Sequence, residues 1–204
     1  SFTGSHRFVL DYLIEEVLAQ QSKSAQDFLL QTAVLDRLTG SLCDTLTSQD
    51  NGQATLETLE RANLFIVPLD EERRWYRYHH LFSDLLRERL RQTQLEQIPT
   101  LHLRASEWYE QNGFTDEAIE HALLAEDFGR AARLIEEHVD ALWQSGGHTK
   151  LRSWLAGLPV ELVFSKPHLC IFHAWGLFVS SQQDAAEQSL QAAEKALDTS
   201  LVLS

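Results

Sequence analysis

The chain has 204 residues, 44% of them hydrophobic and 23% charged, which is enough to bury one large core or two small ones. Its formal charge is −13, yet residues 71–91 hold six arginines against four acids, so the remainder carries −15; a surface that acidic repels phosphate backbones and argues against DNA or RNA binding by this segment. No apolar run approaches the ~20 residues of a membrane span, so no membrane partner is expected and the cytoplasm is the expected compartment.

Along the chain, Phe8, Tyr12, Leu13, Val17 and Leu18 recur at helical spacing, with Asp11, Glu15 and Glu16 off that face. This predicts one isolated helix over residues 1–22, whose partner surface lies outside the chain. Residues 23–95 read as helix, helix, helix, hairpin, helix. Phe28, Leu29 and Leu30 mark the first helix, Leu42, Cys43 and Leu46 a short second one. Asn51-Gly52 punctuates, and residues 55–60 make the third. Residues 63–69 read as a strand, with Pro68 at an edge position. Asp70-Glu71-Glu72-Arg73 reads as a polar turn and residues 75–78 as the returning strand. Three helices followed by a two-stranded wing form a winged-helix module.

Residues 96–204 read as pairs of helices, with Gly113, Gly129, Gly146-Gly147 and Pro159 as turns. Trp108, Trp143 and Trp175 are spaced by 35 and 32 residues, close to the ~34-residue period of tetratricopeptide repeats. The expected fold class is therefore mainly α, a winged-helix module with a small β-hairpin followed by a tetratricopeptide-like helical-repeat array. Arrays of this kind bind partners on a concave face. The absence of methionine, together with an N-terminus that is no signal peptide, suggests a piece of a longer protein. Cys43 and Cys170, far apart and outside any CxxC motif, read as reduced, buried thiols.

Chemistry-bearing motifs are missing. No G-x-x-x-x-G-K-[ST] phosphate loop occurs; Gly146-Gly147-His148-Thr149-Lys150 has the composition without the spacing. His79-His80 is adjacent, so the two rings are expected to point apart, and His168 and His173 are five apart rather than four, which leaves no metal site. No catalytic residues and no enzyme activity are expected. One constellation remains, Tyr78-His79-His80-Leu81-Phe82 at the start of the helix after the wing. His80, Asp84 and Arg87 share a polar face, whereas His79 aligns with Phe82 and Leu86 on the inward side. At a helix N-terminus His79 could donate to a phosphate, or it could cap its own core.

Phe28-Leu29-Leu30-Gln31-Thr32, Leu59 to Phe65 and Trp75-Tyr76-Arg77-Tyr78-His79-His80-Leu81-Phe82 resemble the middle of the MalT-like family of large ATP-dependent LuxR-type regulators. Phe8 to Leu13 is similar to the end of that family's nucleotide-binding module, and Trp154 to Pro159 and Ala174 to Leu177 resemble the start of its repeat domain. The resemblance implies a STAND-class signalling ATPase as the parent, closed with ADP and opened by inducer plus ATP. It divides the chain into the last helix of the nucleotide module (1–22), the winged helix (23–95) and the first repeats (96–204). Related ATPases carry a Met-His-Asp motif whose histidine contacts the ADP β-phosphate. Tyr78-His79-His80 falls at that place, which makes His79 a cofactor-binding residue, with Tyr for Met and His80 for Asp.

No cofactor is expected in the segment itself. The implied partners are the neighbouring nucleotide-binding module and an inducer or regulatory protein on the repeat face. DNA would be reached only through a helix-turn-helix outside these residues. The expected role is non-catalytic coupling within a transcriptional activator; the alternative is a freestanding repeat adaptor.

Overall fold

The computed structural model describes residues 16–202, with side chains through Lys195. They divide into two compact units, one ending at Trp108 and the other beginning at Tyr109. Phe8, Tyr12 and Leu13 of the expected opening helix lie outside the described residues; of that helix, residues 16–19 form a helical turn that buries Leu18.

In the first unit three helices precede a hairpin: α1 (Lys23–Thr32), α2 (Gly40–Thr47) and α3 (Gly52–Arg61). Ser22 caps α1, its hydroxyl accepting from the Ala25 amide at 3.2 Å. α1 presents Phe28, Leu29 and Leu30 to a core that α2 supplies with Leu42, Cys43 and Leu46 and α3 with Leu56 and Leu59. Gly40 and Gly52 open α2 and α3 and set how closely these helices approach. A Cβ on Gly52 would sit 2.5 Å from the Gly40 carbonyl oxygen, so the pair is required by contact. The Gly52 amide also donates to Asp44 Oδ1 at 2.7 Å.

The hairpin joins β1 (Ile66–Pro68) to β2 (Tyr76–Tyr78), antiparallel, with Ile66 opposite Tyr78, Val67 opposite Arg77 and Pro68 opposite Tyr76. The first strand is shorter than expected because Asn63 and Phe65 take positive φ, 51° and 54°, and bend the chain before pairing begins. The Asp70 carboxylate holds the turn, accepting from the amides of Arg74 (2.8 Å) and Trp75 (3.0 Å). Tyr76 exchanges both backbone hydrogen bonds with Leu38, each at 2.8 Å, so β2 is paired on both edges. That third pairing is absent from the sequence reading, since one residue of extended backbone has no periodicity.

α4 (His80–Gln94) follows β2 directly and, after a 3₁₀ turn, leads into α5 (Ile98–Gln111). Arg87 is half-buried instead of standing on a solvated face. Its Nε donates to the Ala33 carbonyl at 2.8 Å and its Nη2 to Asp36 Oδ1 at 2.6 Å. Arg104 of α5 treats α2 the same way, donating to the Leu46 carbonyl at 2.8 Å.

The second unit contains α6 (Thr115–Leu124), α7 (Phe128–Gln144), α8 (His148–Ala156), α9 (Val160–Phe164), α10 (Pro167–Val179) and α11 (Gln183–Val202). Ala118 and Ala122 of α6, with Ala131 and Ala132 of α7, are fully buried and let those helices pack closely. Gly113 and Gly146 make turns, at φ 80° and 82°. Gly129 does not: it lies in the first turn of α7, and the break before it is made by Glu126 at φ 57° and by Asp127, whose carboxylate caps the Arg130 amide at 3.0 Å.

The tryptophan spacing hides two packing roles. Trp143 and Trp175 meet edge to face at 4.4 Å, with Phe172 and His148 around them. Trp108 instead packs on Trp75 in the first unit, at 6.3 Å. Both cysteines are buried free thiols, as expected. Burial, then the charge of Asp44, pushes the Cys43 thiol far above its usual range.

Two outcomes follow for the first unit. Arg87→Met keeps the aliphatic stem but leaves the fully buried Ala33 with an unmatched carbonyl; we expect a loss of ~1.5–3 kcal/mol, read as a lower urea midpoint at unchanged m-value. Asp36→Ala, at the 91% exposed end of the same contact, should cost under ~1 kcal/mol.

The second outcome concerns His102 of α5, 8% exposed, whose pKa burial and then the Arg87 charge push down to about 4 from 6.5. The unfolded chain takes up that proton first, so stability is complete above pH 6.5, falls between 6.5 and about 4, and levels below. His102→Gln should flatten up to ~3 kcal/mol of that pH dependence in chemical denaturation series; equal slopes for both proteins would refute it.

Candidate functional site

The corner where β2 meets α4 gathers the residues singled out in the sequence. Tyr78, the last residue of the strand, is buried, and its hydroxyl shares a 2.7 Å hydrogen bond with Thr32, whose own hydroxyl donates to the Phe28 carbonyl at 2.7 Å. Burial, then the neighbouring Cys43, drives the Tyr78 phenol well above its usual range, so it remains neutral. Phe82 packs edge-on against Tyr78 at 5.7 Å and tilted against Phe65 at 5.3 Å. These contacts fix where α4 begins.

His79 is the N-cap residue of α4, with φ −59° and ψ 137°. Its amide donates to the Phe65 carbonyl at 2.7 Å and its carbonyl accepts from Ser83 at 2.9 Å. Two expectations are corrected here. His79 does not face inward with Phe82 and Leu86: both buried residues lie in the helix, whereas His79, with non-helical dihedrals, is outside the helical phase and exposed. Nor do the two imidazoles diverge. The change of backbone direction between cap and first turn brings the His79 and His80 rings to 4.4 Å, inclined by 33°. Of the polar face expected for His80, Asp84 and Arg87, the first two are exposed and Arg87 turns away to α1.

No side chain caps the first-turn amides of α4. With two exposed imidazoles at the same helix N-terminus, this is an arrangement that attracts an anion. Arg77, exposed on β2, has no ion pair among the described residues. Phe65, Val67, Leu69 and Leu81 are each 37–44% exposed. The first three alternate along the β1 segment and leave an apolar edge on the wing, which the sequence reading missed. Its signal was available: residues 64–69 are apolar without interruption, the pattern of a strand covered on both faces. Among the described residues no group of three or more His, Cys, Asp or Glu could hold a metal ion, and no helix is long and apolar enough to cross a membrane.

Residues 14–98 match the model of the MalT winged helix domain family. The chain is 35% identical over 187 residues to the HTH-type transcriptional regulator MalT of Yersinia enterocolitica, an alignment covering 92% of this chain and 21% of that protein. It is 38% identical over 165 residues to the MalT regulator of Yersinia pestis strain Pestoides F, covering 81% of this chain and 18% of the relative. The chain thus spans about a fifth of the length of the curated relatives it matches. Three helices, a two-stranded wing and the helix that leaves it make a winged helix, and residues 14–98 of this chain are similar to the MalT winged helix domain family.

Proposed function

We propose that the chain is a non-catalytic coupling segment of a transcriptional regulator, in which the winged helix senses a nucleotide held by a neighbouring module and the helical unit carries the response onward to DNA-binding output elsewhere in the parent. The observation that carries this reading is the β2–α4 corner: an uncapped helix N-terminus, two exposed and mutually packed histidines, and an apolar wing edge. An isolated domain gains nothing from exposing Phe65, Val67 and Leu69 together. A module that docks against another protein surface does, and the alignment covers 21% of the relative from Yersinia enterocolitica, which leaves most of that protein outside this chain.

In this reading the occupant of the wing edge is the nucleotide-binding module, and His79, at the helix end, donates to the terminal phosphate of bound ADP. Its exposure supports that role, since a ligand held by another module must be approached from outside. Soluble, cytoplasmic action fits the absence of a spanning helix among the described residues. An inducer or regulatory protein would act on the helical unit. The acidic balance of the chain leaves contact with DNA to other parts of the parent.

The reading is tested in the intact parent protein. A hydrogen bond to a charged phosphate contributes ~1.5–3 kcal/mol, so His79→Ala should speed ADP release roughly 10- to 100-fold and raise inducer-independent transcription by shifting the closed-to-open ratio. His80→Ala, which removes only ring packing, should do less. Both rings are exposed, so neither change should move the melting temperature by more than ~1 °C. Unchanged ADP release in His79→Ala, or a larger effect from His80→Ala, overturns the assignment.

A further inference from the structure

A cleft of about 350 Å³ opens between α8 and α10, lined by Arg152, Ser153 and Leu155 on one side and Phe172, His173 and Leu177 on the other. Arg152 is the one charged residue on its wall, in a chain of net charge −13. No carboxylate pairs with it among the described residues; among them its guanidinium has one hydrogen bond, 3.3 Å from Nη1 to the Ser180 hydroxyl, at the rim of the cleft. Most of its five donors are therefore uncommitted. Gly176 explains how the guanidinium is held there. With no side chain on that residue, the aliphatic stem of Arg152 lies against α10, where a Cβ would already be in contact with Arg152 Cγ at 3.5 Å.

The opposite wall has a fixed polarity. The Ser189 hydroxyl donates to the Cys170 carbonyl at 3.1 Å, so the 3.1 Å contact between Ser189 Oγ and His173 Nδ1 requires the imidazole to donate. Burial lowers the His173 pKa and keeps the ring neutral. Its Nε2 is thereby left as an acceptor, with no partner among the described residues. Leu155, Phe172 and Leu177 add apolar surface to the same cleft.

We propose that this cleft binds a small hydroxy-carboxylate with an apolar body, its carboxylate on Arg152, its hydroxyl donating to His173 Nε2 and its hydrocarbon part against Phe172 and Leu177. The site stands on the geometry of α8 and α10 and does not depend on the family assignment or on the role given to His79. Bound there, the ligand would bridge two helices that otherwise meet along their apolar sides, and would oppose their separation.

The test uses the 204-residue chain and 4-hydroxybenzoate as probe, followed by amide chemical shifts. Expected are saturable shifts confined to α8, α10 and the turn at Ser180, with a roughly millimolar dissociation constant for so small a molecule. The methyl ester, which lacks the charge, and benzoate, which lacks the donor, should each bind more weakly. Arg152→Gln, a change at an exposed side chain that leaves the core intact, should weaken binding ~10-fold or more. His173→Phe should abolish the preference for 4-hydroxybenzoate over benzoate. Shifts scattered over the chain, no saturation, equal affinity for the ester or for benzoate, or undiminished binding to Arg152→Gln would each overturn the proposal.

Discussion

The last carbonyl groups of a helix have no partner within it. In the first unit the Ala33 carbonyl at the end of α1 and the Leu46 carbonyl in the last turn of α2 belong to fully buried residues. Their partners arrive from far along the chain: Arg87 reaches Ala33 across 54 residues and Arg104 reaches Leu46 across 58. A guanidinium at a helix C-terminus meets negative partial charge as well as a lone pair, so each contact is stronger than a neutral hydrogen bond. The consequence is geometric. α4 and α5 cannot shift relative to α1 and α2 without stranding a buried carbonyl, and α4 begins at the end of β2. The wing is thus positioned by bonds made well away from it.

This arrangement separates the part of the corner that is fixed from the part that is free to act. Tyr76 is locked by strand pairing on both edges and Tyr78 by Thr32. One residue later His79 spends its backbone on Phe65 and Ser83 and leaves its ring outside. The backbone that carries the imidazole is therefore fixed, while the ring itself stands exposed beside His80. That fixed backbone depends on the tyrosines and Arg87 and does not require the histidine to be buried.

Much of the first unit was legible in the sequence because its signals are periodic. Helix spacing marks Phe28 to Leu30 and Leu42 to Leu46, and Asp70 to Arg73 marks the turn. What was not legible has no period. The Leu38–Tyr76 bridge is one residue long, and the positive φ values at Asn63 and Phe65 are imposed by tertiary closure. Arg87 looks like any solvated arginine until the end of α1 is known to lie under it. The orientation of His79 failed for a related reason. Helical phase was extended one residue too far, onto an N-cap whose dihedrals are not helical. The tryptophan spacing carried no information on ring partners: Trp108 packs on Trp75, whereas Trp143 and Trp175 meet each other.

The two units differ in how their polar groups are satisfied. In the first, polar side chains are tied to backbone carbonyls, as with the buried Thr32 and the half-buried Arg87 and Arg104. In the second, the long-range charges pair with one another near the surface. Glu110 binds Arg130 and Arg133, Lys150 binds Asp116 and Lys166 binds Glu136. Such pairs re-form through solvent and contribute little individually, and the helices beneath them meet through alanines and aromatic rings, joined by directional bonds such as that from Ser189 to the Cys170 carbonyl. In the first unit, moving a helix would strand a buried carbonyl; in the second, separating a surface ion pair leaves both charges to water, so the two units resist distortion by different chemistry.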